Sequence, residues 1–333
     1  MKNIFKAIGI FVSVFALSAS VALAQEQQSF TIQLEDKTLP VGDFTSVNVG
    51  GEFEVTLDKG DCGVRLTVDN ALSPYVQVYV RAKTLYIGYD DKSVPTDIKK
   101  LYKQKNAAQP TFRAVVTLPE LSGLTVAESA VVNSAVEFPG EFLQVNLADR
   151  AQVKSLSVSS VTAAVTMTKN TQAVLSLKAD DKVEVTNDGN TNLKLSANTS
   201  SLTVTGNGNA TISIGAEVPA AVVNGNGNAK IALAAKADKI DVNGLGSAKI
   251  VLSGETNALN IHTEKNADLD GDGLLTKEVV ANMNGGSKAS VNAPETVEAT
   301  LLGGSSLFYT GNPSFKIGRV IKSTLAPKGA PTK

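Results

Sequence analysis

Histidine, cysteine and tryptophan are nearly missing from this chain: among 333 residues there is one His, His262, one Cys, Cys62, and no Trp. A single imidazole leaves no second candidate for a His-based catalytic set, and a single thiol excludes an internal disulfide and a Cys-rich zinc cluster. Excess charge of either sign is missing as well, with 31 Lys+Arg against 32 Asp+Glu and a formal net charge of −1. Recognition of DNA or RNA needs a clearly basic domain, so no nucleic-acid partner is expected. No cofactor is called for, and no residue is singled out as catalytic, cofactor-binding or metal-ligating.

A second long apolar stretch is absent after the first 24 residues, so no membrane span is expected beyond them. Those 24 residues are of another kind. Lys2 and Lys6 precede an apolar run from Ala7 to Leu17, and small residues lead to Ala22-Leu23-Ala24 before Gln25. This is the charged, apolar, small-residue order of a cleavable secretory signal. Cleavage after Ala24 leaves 333 minus 24, or 309 residues, with 29 basic against 32 acidic groups and a net charge of −3. The mature protein is expected in the periplasm, at the cell surface or secreted.

Aromatic residues are also missing from most of the chain: Leu143 to Leu307, 165 residues, contains no Phe, Tyr or Trp. Aromatics carry much of the buried area of an ordinary core, so a thin, repeated core of Val, Ile, Leu and Ala is indicated instead. The repeat is explicit. GNGNATISI ends at Ile214, GNGNAKIAL at Leu233 and GLGSAKIVL at Leu252, each 19 residues after the last. Extended outward with the Ala of each unit as marker, the series runs Ala130, Ala151, Ala173, Asn192, Ala210, Ala229, Ala248, Ala267, Ala289, Leu307.

Within a unit the alternation has period 2. Ile231 and Leu233 oppose Lys230 and Ala232, and Ile240 and Val242 oppose Lys239 and Asp241. Such segments are short strands. Stacking the units aligns Ile212, Ile231, Ile250 and Leu269, then Ala221, Ile240 and Leu259, then Val223, Val242 and Ile261, and every column is apolar. The expected fold is all-β: a parallel β-helix of about ten coils with an 18–22 residue repeat, roughly 45 to 50 Å long at the usual strand spacing. Right-handed winding follows from the chirality of parallel crossovers. The paired glycines Gly206 and Gly208, Gly225 and Gly227, Gly244 and Gly246 are expected at one corner with positive φ, and Asn207, Asn209, Asn226 and Asn228 are expected to hydrogen-bond along the rod. The expected organisation is a signal peptide at 1–24, an N-terminal β segment at 25–118 with a polar insertion at 90–109, β-helix repeats with a C-terminal cap at 119–320, and a polar tail at 321–333.

The GNGNA, GNGNA and GLGSA turns resemble those of the auto-transporter adhesin head domain called GIN, found in exported proteins of Bacteroidetes. The resemblance extends to Phe44–Leu57, to Leu72-Ser73-Pro74-Tyr75-Val76 with Leu85–Gly88, and near the other end to Leu274–Val279 and Leu307–Pro313. It implies an exported β-helical protein, adhesin-like, with no established catalytic residues to carry over.

Other constellations have plain alternatives. Asp268, Asp270 and Asp272 alternate as in the start of a calcium loop, but position 12 of such a loop is Val279 here, so a polar corner is the simpler reading. Glu217, Lys236 and Glu255 stack with alternating sign as a solvated ladder. Lys92, Lys99, Lys100, Lys103 and Lys105, with Tyr102, form a basic cluster read as a solvated loop. His262 faces away from Leu259 and Ile261. Cys62, beside Gly60, Asp61 and Gly63, sits in a turn. Short corners and scattered charges favour a non-catalytic binding or structural module whose partner is a surface glycan, matrix or another envelope protein. The alternative is a β-helical polysaccharide-active enzyme.

The exported form should begin at Gln25. Mass spectrometry of native protein is expected to show the loss of residues 1–24, and an intact Met1 in a membrane fraction would refute the leader.

Overall fold

Strict alternation of apolar and polar residues gives a strand with one buried face, and here it persists far beyond ordinary strand length. Lys230–Gly246 is a single strand of 17 residues that buries Ile231, Leu233 and Ala235, and then Ile240, Val242 and Gly244. Between these two sets the alternation breaks at Asp238 and Lys239, which are both exposed, so the chain turns a corner without leaving the ladder. The computed structural model describes residues 32–104, 107–293 and 295–329. The leader at 1–24, Lys105 and the end of the polar tail, 330–333, lie outside the described residues.

The architecture is a parallel β-solenoid of about 11 turns, with 69% of residues in strands and 4% in helix. Each turn supplies a strand to two faces. One face runs from Ser46–Val49 through Gly123–Val126 and Phe142–Leu147 to Thr296–Leu302 and Ser314–Ile321. The other runs from Glu54–Lys59 through Val131–Pro139 to Lys288–Asn292, Ser306–Thr310 and Thr324–Pro327. Parallel stacking therefore begins at Ser46, well before residue 119.

The central columns fall in the expected register: Ile212 pairs with Ile231, Ile231 with Ile250, and Ile250 with Leu269. All four are buried, as are the columns through Ile240 and Val242. Ala130 and Ala151 hold their place in the marker series, and four other members, Ala173, Asn192, Ala289 and Leu307, do not. Asn192 pairs with Thr211, and Ala173 with Leu193, so the residues that continue the Ala210 column are Thr171 and Thr191. Ala289 and Leu307 likewise stack with Leu269 and with each other, which leaves Ser287 and Ser305 in the small-residue column. Thr and Ser are small enough for the same column, and two of the four close their hydroxyls locally: Thr171 Oγ1 donates to the Thr168 carbonyl at 3.2 Å and Ser287 Oγ to the Asn284 carbonyl at 3.1 Å.

The paired glycines serve two different purposes. Only the second of each pair has positive φ, at 64° for Gly208, 68° for Gly227 and 82° for Gly246. The first faces inward. A Cβ on Gly206 would sit 3.2 Å from the Ile212 and Ile231 Cδ1 atoms, and one on Gly225 would sit 3.1 Å from the Ala248 Cβ. Close packing favours these glycines, and conformation does not require them. The amide ladder is present: Asn209 donates to Asn190 at 3.1 Å, Asn228 to Asn209 at 3.3 Å and Asn226 to Asn207 at 2.9 Å.

The two ends differ. At the first turns the chain folds back antiparallel, with Leu34–Leu39 on Gly63–Asp69 and Val76–Arg81 on Thr84–Tyr89. The polar insertion, expected as a solvated loop, instead forms a helix at Thr96–Tyr102 behind Pro95. Its Ile98 and Tyr102, one helical turn apart, pack against the core. At the last turns the T-shaped pair Tyr309 and Phe315, with ring centroids 4.8 Å apart, does not close the core. Val297, Ala299 and Leu301 are 0% exposed, whereas the residues that continue their columns, Phe315, Ile317 and Val320, are 41%, 48% and 39% exposed. Lys316, Arg319 and the register shift beside Gly318 blunt that edge against strand pairing.

Two outcomes follow from this register. Ile231→Asp should cost more than about 3 kcal/mol by burying an unpaired charge, while Lys230→Asp should stay within about 0.5 kcal/mol. Chemical denaturation of both variants checks this, and equal midpoints would refute the column. Replacing both Lys316 and Arg319 with Val should convert a monodisperse sample to one that associates with concentration in sedimentation velocity.

Candidate functional site

Where the alternation breaks at the first corner of each turn, side chains on either side of the break splay apart and leave a groove. It has a volume of about 970 Å³ and runs across successive turns from Ser159 to Lys277. Its floor is made of small residues, Ala179, Thr199, Val218, Ala237 and Thr256. Ala179, Thr199, Val218 and Thr256 are buried, and the threonine hydroxyls are closed on backbone carbonyls, Thr199 Oγ1 on Asp181 at 3.2 Å and Thr256 Oγ1 on Ala258 at 3.2 Å. Ser134 and Thr276 make the same bond to the carbonyl two residues on, at 3.1 Å each. A small hydroxyl two residues before the second strand of a turn is thus a corner signature that the 19-residue alignment alone does not reveal.

One wall is a ladder in strict register: Ser159, Lys178, Asn198, Glu217, Lys236, Glu255. The other carries Asp180, Ser200, Pro219, Asp238 and Asn257. Glu217, Lys236 and Glu255 are brought together as expected, and Lys236 Nζ lies 3.3 Å from Glu255 Oε1. Asn257 donates to Asp238 Oδ1 at 3.2 Å, which fixes the opposite rim. Asp180, Glu217, Asp238 and Glu255 are all exposed.

A second concavity of about 670 Å³ lies at the first turns, between the Thr96–Tyr102 helix and the corner that carries Glu128 and Arg150. Tyr89, Tyr102 and Phe112 line it. Burial first, then the nearby carboxylates of Asp91, Glu52 and Asp90, push the Tyr89 hydroxyl up to about 12. Tyr102 is also raised, first by burial and then by the nearby carboxylate of the buried Asp69. Of the basic cluster, Lys99 and Lys103 reach this pocket, Lys99 already paired with Asp91 at 3.1 Å, while Lys100 pairs with Asp97 at 3.3 Å.

The remaining sequence candidates are dispersed. His262 Nε2 lies 3.4 Å from Glu264 Oε1 on an exposed face. Cys62 packs half-buried against the core with its Sγ 3.4 Å from the Phe44 carbonyl oxygen. Asp268, Asp270 and Asp272 lie in one strand, Asp268–Met283, interrupted by a register shift. Asp270 Oδ1 accepts from the Asp272 N–H at 3.2 Å, and Asp272 is ion-paired with Lys328. Among the described residues no group of three or more His, Cys, Asp or Glu is placed to hold a metal ion. No helix among them is long and apolar enough to cross a membrane.

No curated protein matches the chain. Among solved structures it is similar to a putative adhesin from Parabacteroides distasonis ATCC 8503, at 17% identity and a TM-score of 0.36, over 89% of this chain and 97% of that one. A putative adhesin from Parabacteroides merdae ATCC 43184 is 16% identical with a TM-score of 0.34, over 89% and 96% of the two chains. One from Bacteroides fragilis NCTC 9343 is 13% identical with a TM-score of 0.28, over 89% and 97%. The family model described as putative auto-transporter adhesin, head GIN domain, matches residues 43–225 and 198–313, and the chain belongs to that family.

Proposed function

We propose that the chain is an exported, non-catalytic binding module of the cell envelope that holds an extended glycan along the corner groove. The observation that carries this reading is the ladder of Lys178, Asn198, Glu217, Lys236 and Glu255. Its rungs recur at about 4.8 Å, the spacing of hydrogen-bonded strands. An extended pyranoside chain advances by a similar length per ring, so successive sugars meet successive polar rungs over a floor of small side chains. With no aromatic ring between Leu143 and Leu307, contact is through hydroxyl hydrogen bonds and not ring stacking.

The enzyme alternative asks for more than carboxylates. Glycoside hydrolysis sets two carboxyl groups across the scissile bond and keeps one of them protonated by a sheltered environment. The groove carboxylates are exposed, and two of them, Glu255 and Asp238, are held by Lys236 and Asn257.

Affinity electrophoresis of residues 25–333 in gels containing single polysaccharides, run beside a reducing-end assay, tests the reading. At least one glycan should retard the protein without release of reducing ends. Glu217→Lys should weaken that retardation about tenfold, a loss of about 1.4 kcal/mol, with an unchanged melting temperature. Release of reducing ends, or retardation indifferent to Glu217→Lys and Asn198→Ala alike, would refute it.

A further inference from the structure

The first-turn pocket is built differently from the groove, and its chemistry points to a different ligand. It gathers aromatic rings that the solenoid body lacks. Phe53 and Phe112 are buried with ring centroids 5.2 Å apart, and Tyr89 stands against Phe112 at 4.7 Å. Tyr89 is only half-buried and, like Tyr102, lines the cavity. An aromatic face carries negative charge density and attracts the polarised C–H face of a ring laid over it. A volume of about 670 Å³ lies within the usual range for small-ligand pockets.

The charged groups divide into those already engaged and those left over. Asp91 and Lys99 neutralise one another at 3.1 Å. The Glu128 carboxylate accepts the Gly51 N–H across the corner. Arg150 donates from Nε and Nη2 to Ser129 Oγ at 3.2 and 3.0 Å, which orients its guanidinium and leaves other N–H donors unused. Among the described residues Glu52 and Lys103 have no ion-pair partner. The unspent groups are therefore two cations, Arg150 and Lys103, one carboxylate, Glu52, and the Tyr89 hydroxyl. That set matches a ring bearing one negative charge and several hydroxyls: a planar fork and an ammonium for a carboxylate, a carboxylate and a phenol for hydroxyls. The Tyr89 hydroxyl, with its proton held up to about 12, stays a donor throughout the physiological range.

We propose that this pocket binds an acidic sugar residue, its ring against Tyr89 and Tyr102 and its carboxylate toward Arg150 and Lys103. The site is separate from the corner groove and does not depend on the groove reading. The Asp90–Gln109 insertion thereby has a use, because its helix supplies Tyr102 and places Lys103 at the pocket.

Isothermal titration and saturation-transfer NMR on residues 25–333 test the proposal with three probes: methyl glucuronide, methyl glucoside and inorganic phosphate. The glucuronide should bind at least tenfold more tightly than the glucoside and than phosphate, and should weaken in 0.5 M salt by screening. Arg150→Ala and Lys103→Glu should each lower its affinity about tenfold, and Tyr89→Ala should abolish transfer to the ring protons, with Lys230→Asp as an unaffected control. Lys103 is exposed at the end of the helix, so Lys103→Glu remains informative if Tyr89→Ala fails to fold. Equal binding of glucuronide and glucoside overturns the proposal, as does phosphate binding as tight as glucuronide, or affinity unchanged in Arg150→Ala and Lys103→Glu.

Discussion

One backbone hydrogen bond, repeated at the second corner of many of the turns, sets the geometry of the molecule. Each of these turns reverses through the left-handed region, at Glu128, Asp149, Lys169, Gly189, Gly208, Gly227, Gly246, Lys265, Gly285, Gly303 with Gly304, and Lys322. In turn after turn the next residue's N–H reaches the carbonyl of the left-handed residue one turn earlier, Arg150 to Glu128 at 2.7 Å, Asn228 to Gly208 at 2.9 Å and Ser247 to Gly227 at 2.7 Å. The bond forms only if successive corners superimpose. In the middle of the rod they approach so closely that a Cβ on Gly246 would meet the Gly227 carbonyl oxygen at 3.1 Å. Where the residue is not glycine the left-handed backbone costs about 1 kcal/mol or more. Cross-turn contacts offset it there: the Glu128 carboxylate accepts the Gly51 N–H, and Asp149 pairs with Lys169 in the same column. That pairing also holds the Asp149 carboxyl below the ordinary carboxylate range.

This constraint explains how far the sequence could be read. The 19-residue period, the parallel stack and the apolar columns are legible because Ile212, Ile231, Ile250 and Leu269 all have to fill the same narrow interior. The period drifts outside that block because two positions accept substitutes that no longer look alike. Thr171, Thr191, Ser287 and Ser305 replace Ala where only size matters, and Lys169, Lys265 and Lys322 replace Gly where a side chain can reach solvent. Matching on Ala and Gly therefore slips to Ala173, Asn192, Ala289 and Leu307. The two roles of paired glycines are equally hidden, since Gly206 and Gly208 are written alike while one meets isoleucine methyls and the other a neighbouring backbone.

The ends and the insertion were less legible for a different reason. Periodicity describes the stack and says nothing of what covers it. The helix at Thr96–Tyr102 has only seven residues, and its apolar signal is Ile98, Leu101 and Tyr102 within a run of lysines. Composition makes such a run a solvated loop, and packing on the first turns makes it a lid. At the other end Phe315 continues the Val297 core column, yet among the described residues no strand pairs beyond it, so charge and an irregular register protect the edge in place of a covering strand.

Both candidate sites arise from this division between a monotonous interior and unconstrained corners. A core thin enough to be filled by Ala, Val, Ile and Leu offers little room for a ligand, so recognition falls to the outside of a turn. At the first corner the alternation breaks and side chains are free of packing, which allows Lys178, Asn198, Glu217 and Lys236 to differ from turn to turn while the floor stays small. Such a ladder discriminates by the order of its rungs and suits a ligand that is itself a repeat. The first turns break the monotony, since antiparallel strands and a helix need larger side chains to close the core. The aromatics that close it also line a pocket, so the residues that end the solenoid are the ones able to recognise a single ring.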